Sequence, residues 1–90
     1  MRDVTLRFQM TDQALEDYRY WEKKNPKILK RIHALFDDIK QNPFRGLGKP
    51  EPLKLNLSGL WARRITKEHR CVYRLQDDRI IIRSLRFHYD

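Results

Sequence analysis

Two Asn-Pro steps, Asn25-Pro26 and Asn42-Pro43, punctuate the first half of the chain and fix what lies between them. Proline has no N–H for a helix interior but suits the first helical position, with asparagine before it as a cap. Between the two steps Ile28, Leu29, Ile32, Leu35, Phe36 and Ile39 recur at spacings of three and four, the repeat of one apolar helix face. This spacing predicts a helix over about residues 26–41. Ahead of the first step, Ala14, Leu15, Tyr18 and Trp21 make a second stripe. Thr11-Asp12 caps it, and Glu16 sits where an acid suits the helix dipole. A helix over about residues 12–24 follows, and the short link makes the two an antiparallel pair. His33 lies beside the second stripe and reads as a surface or boundary histidine.

The flanks carry the other period. Val4, Leu6, Phe8 and Met10 alternate with Thr5, Arg7 and Gln9, which predicts a strand with one buried face. The last thirty residues read as strands over about 60–65, 69–76 and 79–89, with Asp77-Asp78 as a tight turn. The order is strand, helix pair, then antiparallel strands. It predicts an α+β fold, a twisted sheet with both helices on one face and the other face open. Ninety residues leave room for one core, so residues 1–90 form a single domain.

Composition narrows the function classes. The net charge is +8, and the basic residues outnumber the acids from Lys49 onward, whereas acids such as Glu16, Asp17, Glu22, Asp37 and Asp38 crowd the first half. Such a surface favours an anionic partner. Cys71 is the one cysteine, which excludes an intrachain disulfide and a thiolate metal cluster. No apolar run reaches spanning length and Met1–Thr5 shows no signal pattern, so a reducing, cytoplasmic setting without a membrane partner is expected. His33, His69 and His88 lack ligand spacing; no metal and no cofactor are expected. Gly46-Leu47-Gly48-Lys49 resembles a phosphate loop only faintly, since the spacing is short and Pro50 follows the lysine.

Strand parity sorts the remaining side chains. A three-residue loop, Thr66–Glu68, sets Arg64 opposite Arg70. One face then holds Ala62, Arg64, Arg70, Val72 and Arg74, and the core face holds Trp61, Ile65, Cys71, Tyr73 and Leu75. A two-residue loop would set Arg70 beside Ile65 and mix charge into the core. In the last strand, a strict two-residue turn at Asp77-Asp78 sends Arg86 and His88 to the core face. An extra turn residue or a bulge reverses this, placing Ile81, Leu85 and Phe87 in the core and Arg86 and His88 on the open face, with Arg83 awkward. The apolar pattern favours the second arrangement.

The central stretch, Lys49-Pro50-Glu51-Pro52-Leu53-Lys54, holds one carboxylate between two prolines and two lysines. Glu51 both precedes and follows a proline, so its backbone has little freedom. By itself the stretch also reads as a Pro-rich connector. Together with the arginine face it has the parts for cleaving RNA through its own 2′-hydroxyl. Glu51 is the candidate base and His88 the candidate acid near neutral pH. Arg64 and Arg70 are candidate stabilisers of the phosphorane-like charge.

The chain also resembles a known family, the YoeB toxins of bacterial type II toxin–antitoxin pairs, within the RelE/ParE superfamily. The resemblance rests on Asp17-Tyr18 and Tyr20-Trp21, and on Pro43-Phe44 with Gly46. It continues through Gly48-Lys49-Pro50-Glu51-Pro52-Leu53-Lys54, Asn56-Leu57-Ser58-Gly59, Trp61, Arg63-Arg64-Ile65, His69-Arg70, Val72-Tyr73 and His88-Tyr89. It implies a compact RelE-like domain and an endonuclease that enters the ribosomal A site and cuts mRNA there, stopping translation. It implies Glu51 as general base, His88 as general acid, Arg64 and Arg70 as the phosphate pair, and Tyr89 as a further member of the catalytic set. Lys49, Lys54, Arg63 and Arg86 are then expected to contact RNA. The implied partners are a YefM-type antitoxin and the ribosome with its mRNA; whether the chain also forms a homodimer stays open. Two other readings stay open: a non-catalytic basic RNA- or ribosome-binding module, and a gyrase-directed toxin of the ParE type.

Overall fold

The computed structural model describes residues 6–87. Both helices form where the punctuation sets them: α1 spans Asp12–Lys24 and α2 spans Pro26–Gln41. The Thr11 hydroxyl accepts the Ala14 N–H, and the Asn25 side chain accepts from Lys27 and Ile28, so each first turn has its orphan donors capped. Pro26 stands at the start of α2, where its missing N–H is harmless. From α2 Ile32, Leu35, Phe36 and Ile39 are buried, and from α1 Ala14, Asp17 and Trp21.

Five strands form one sheet: β1 (Arg7–Met10), β2 (Glu51–Pro52), β3 (Trp61–Arg64), β4 (Arg70–Gln76) and β5 (Arg79–Ser84). Their order is β1-β5-β4-β3-β2. The pairs β2–β3, β3–β4 and β4–β5 are antiparallel, but β1 lies parallel to β5, so the sheet is mixed. The helix pair carries the chain from β1 to β2 at the opposite edge of the sheet, and β2 to β5 run back as antiparallel neighbours until β5 meets β1. Val4 and Thr5, in the expected first strand, lie outside the described residues. The expected β3–β4 register holds: Arg64 pairs with Arg70 and Trp61 with Tyr73.

The last strand differs from expectation in an instructive way. The turn at Asp77-Asp78 has two residues, since Gln76 pairs with Arg79, and there is also a bulge. Tyr73 faces Ile82 while Val72 faces Ser84, leaving Arg83 as the extra residue. Ile80 and Ile82 are therefore the fully buried pair, in place of Ile81, and the bulge resets parity so that Leu85 is buried too. Arg83, the misfit of any regular strand here, is the residue the bulge expels. The strand ends at Ser84, short of the expected 89. Beyond it Leu85 is held by α1: its N–H donates to Asp17 Oδ2 (2.9 Å) and its carbonyl accepts from Trp21 Nε1 (2.8 Å). Phe87 has φ of 61° and is exposed, contrary to the expectation that it enters the core.

The main core lies between the helix layer and one face of the sheet. The opposite face is less open than expected. Leu53, Leu57 and Leu60 fold back over Ala62 and Val72 and make a second, small apolar cluster. The chain from β2 to β3, including a 3-10 turn at Leu55–Leu57, brings them there. Burial of this patch fastens the Glu51 segment to the sheet.

Candidate active site

Glu51 is brought to the sheet as an edge-strand residue. It pairs with Ala62, so it lies in the same ladder as Arg64, two residues further along β3. Arg64 and Arg70 are direct cross-strand partners. Lys49, Glu51, Ala62, Arg64 and Arg70 line one cleft of about 80 Å³. Two like-charged residues set opposite each other across a ladder repel, so the pair gains from an anion bound in the cleft that both line.

Each wall is fixed by local bonds. Gly48 carries φ of 82°, and its carbonyl accepts the Arg64 N–H at 2.7 Å, tying the approach of Lys49 to β3. A Cβ on Gly48 would stand 3.1 Å from the Arg64 carbonyl oxygen. Only glycine allows both the turn and the close approach. Arg70 is almost buried, with Nη1 donating to the carbonyls of Thr66, Lys67 and His69. The β3–β4 loop thus holds its guanidinium in one place. Arg64 is exposed, and its carbonyl accepts from Arg31 Nη2.

The residues expected to act in this region separate into three groups. Lys49, Glu51, Arg64 and Arg70 come together. Lys54 is exposed at the start of the 3-10 turn and does not line the cleft. Arg63 and Arg86 do not join it either. Arg63 was expected to contact RNA, but its side chain is fully buried in the core. It shares parity with Trp61 and Ile65, and its guanidinium is consumed by Asp38, Tyr73 and the carbonyls of Asn42, Arg45 and Leu47. Arg86 stacks on Tyr20 of α1, 3.6 Å from the ring centroid, rather than standing beside Arg64 and Arg70. His88 and Tyr89 lie outside the described residues. Phe87, the residue before His88, has its carbonyl on the Arg70 N–H at 3.0 Å.

Asp38, expected only as one of the acids of the first half, and Tyr73, expected only as a core residue, bond to Arg63 behind the site. The Leu47 N–H, then Arg63, hold the Asp38 carboxyl below its ordinary range. Burial pushes the Tyr73 phenol up, opposed by Arg63, so it stays a neutral donor to the Pro43 carbonyl (2.6 Å). Through these bonds residues 42–47 are fixed just before Gly48 and Lys49. The signal was available in part, since parity alone sets Arg63 among apolar neighbours and a buried arginine needs partners. His69 proves a core-edge residue, with its ring against Trp21 and Nδ1 accepting the Phe87 N–H. His33 is bonded to the Tyr18 hydroxyl on the helix surface.

Comparison with known proteins agrees with this architecture. Residues 10–89 match the family described as the YoeB-like toxin of bacterial type II toxin–antitoxin systems. The chain is 49% identical to Toxin YoeB of Escherichia coli K12 over 79 residues, which cover 88% of this chain and 94% of that one. Among solved structures, the YoeB dimer of Staphylococcus aureus superposes with a TM-score of 0.88 at 43% identity, covering 94% of this chain and 99% of that one. The YoeB–YefM complex of the same organism gives 0.86 at 45%, covering 93% and 98%. The chain belongs to the YoeB family and is a toxin of a type II toxin–antitoxin system.

Proposed function

We propose that this toxin is a ribosome-dependent endoribonuclease that cuts mRNA in the ribosomal A site. The observation that carries the reading is the cleft in which Glu51 shares walls with Arg64, Arg70 and Lys49. A base and a set of cations around one small space suit an in-line attack on a phosphodiester. Glu51 takes the proton of the 2′-hydroxyl as its oxygen bonds to phosphorus. Arg64 and Arg70 hold the non-bridging oxygens as their charge grows. The bond to the 5′-oxygen breaks, and His88 supplies that oxygen with a proton. The products are a 2′,3′-cyclic phosphate and a 5′-hydroxyl. Tyr89 completes the catalytic set, while Lys49 and Lys54 attract the RNA backbone. No step is assigned to a metal or cofactor.

A YefM-type antitoxin is the proposed neutraliser, since a similar chain is known in a YoeB–YefM complex. An acidic segment that folds on binding suits the charge of +8. A homodimer is proposed on the likeness to the dimeric Staphylococcus aureus protein. The test is primer extension on a translating message with purified chain and ribosomes. Cuts should require ribosomes and fall by roughly 10²–10⁴-fold in Glu51→Ala and His88→Ala. Growth arrest and ribosome binding that survive both changes would replace the nuclease with a binding module.

A further inference from the structure

The face that carries the cleft bears a second basic recess. Along β4 the residues on this face are Arg70, Val72 and Arg74. Arg70 lines the cleft; Arg74 lines a separate recess of about 370 Å³. Arg83 is its other cation, Asn56 and Ser58 supply neutral polar groups, and Leu60 and Ile81 are apolar walls. None of the residues that line it is acidic. Among the described residues neither Arg74 nor Arg83 forms an ion pair with a carboxylate.

The position of Arg83 is built. A regular ladder would give Arg83 the place opposite Val72. The bulge instead sets Ser84 there and makes Arg83 an extra residue. Thr11, the cap of α1, locks this arrangement by donating its hydroxyl to the Arg83 carbonyl at 2.8 Å. Bulges re-aim side chains in this manner. Arg74 pairs with Ile81, two residues before Arg83, so the two guanidiniums rise from neighbouring strands on one recess. Like charges brought together without an acid are satisfied by an anion.

The two basic sites are in line. Along β4 the backbone positions of Arg70 and Arg74 are about 13 Å apart. An extended strand of a few nucleotides covers that distance. Forked guanidinium donors fit phosphate oxygens, and the Asn56 amide and Ser58 hydroxyl fit a ribose hydroxyl. We propose that the recess between Arg74 and Arg83 is a second phosphate site, gripping the backbone of the same single RNA strand whose scissile phosphate lies between Arg64 and Arg70. This rests on the reading of the cleft as an RNA-cutting site and extends it to a substrate subsite.

The experiment measures affinity by fluorescence anisotropy for two 2′-O-methyl oligoribonucleotides, which have no free 2′-hydroxyl and cannot be cut. One is a trinucleotide, too short to reach both sites; the other is a dodecamer. The wild-type chain should bind the dodecamer more tightly. The double variant Arg74→Ala/Arg83→Ala should lose roughly tenfold for the dodecamer, the scale of a lost charged contact. Its salt slope for the dodecamer should flatten by about 0.7, the release expected from one phosphate. Its trinucleotide affinity should hold, which separates a lost subsite from a general loss of charge or fold. Equal affinity of the wild type for both oligonucleotides, or of both proteins for the dodecamer, overturns the proposal. So does a double variant that keeps the dodecamer but loses an acidic Glu-rich peptide, which would assign the recess to a protein segment. Because the probes cannot be cut, the expected pattern beside a message that stays whole would remove the nuclease and leave the subsite.

Discussion

The Arg63 guanidinium and the Tyr73 hydroxyl meet inside the core, Nε to oxygen 3.0 Å, and the Tyr73 O–H in turn donates a hydrogen bond to the Pro43 carbonyl. This contact joins β3 and β4 to the loop that delivers Lys49 and Glu51. A buried arginine is tolerable only because every donor finds an acceptor, here a carboxylate, a phenol and three carbonyls.

Arg63→Ala should therefore destabilise the chain by about 3–5 kcal/mol, the scale for breaking a buried hydrogen-bonded ion. Tyr73→Phe keeps the ring but strands Arg63 Nε and the Pro43 carbonyl, and should lose about 1–3 kcal/mol. Denaturant unfolding checks both, and an Arg63→Ala variant as stable as wild type would contradict the role given to the network.

Gly48 and Gly59 make a matched pair. Both have positive φ, 82° and 97°, but a Cβ on Gly59 meets nothing within 4 Å while one on Gly48 meets the Arg64 carbonyl, Leu35 and Arg63 Cβ. Gly59→Ala should show backbone strain alone, about 1–2 kcal/mol. Gly48→Ala should lose more, and the message cleavage proposed for this chain should fall even at temperatures where the variant is folded, since Lys49 and Glu51 are carried off Arg64. Equal losses in the two variants would show that the close approach carries no weight.

Asp38 sets an acid limit. Its folded pKa lies below the ordinary 3.8, chiefly through the Leu47 N–H and then Arg63. A carboxyl lowered in this sense contributes stability that is full above its unfolded pKa and is lost as pH falls through the folded one. Asp38→Asn should be less stable than wild type at neutral pH, with the gap closing below about pH 4. Thermal melts of both proteins across that range make the comparison; a gap that widens on acidification would contradict the assignment.

Cys71 should be inert while the chain is folded. It is fully buried, and burial pushes its thiol up to about 12, leaving almost no thiolate at neutral pH. Labelling with a thiol reagent should be slow in buffer and fast in denaturant. Rapid labelling of the native protein would mean that β4 opens on its own.

Much of this was legible in the sequence because periodicity and punctuation act locally. The helix bounds follow from Asn25-Pro26, Asn42-Pro43 and the apolar stripes, and α1 and α2 end where these say. The Arg64–Arg70 pairing followed from one exclusion, that a shorter loop would drive charge into the core. The cleft was half legible: the type and stiffness of Glu51 could be read, but its place at a sheet edge could not. Arg63 was expected to contact RNA, but in a strand adjacent residues face opposite ways, so the parity that exposes Arg64 sends Arg63 into the core.

By itself, the sequence determined the helices, the register of β3 on β4, the family and the candidate residues, since each depends on neighbours a few positions apart or on a motif. The tertiary structure decided the parallel seat of β1, the bulge at Arg83, the burial of Arg63 and the meeting of Glu51 with Arg64 and Arg70. These depend on which distant segments compete for one buried face and for each backbone hydrogen bond. That competition is resolved only when the whole core packs at once.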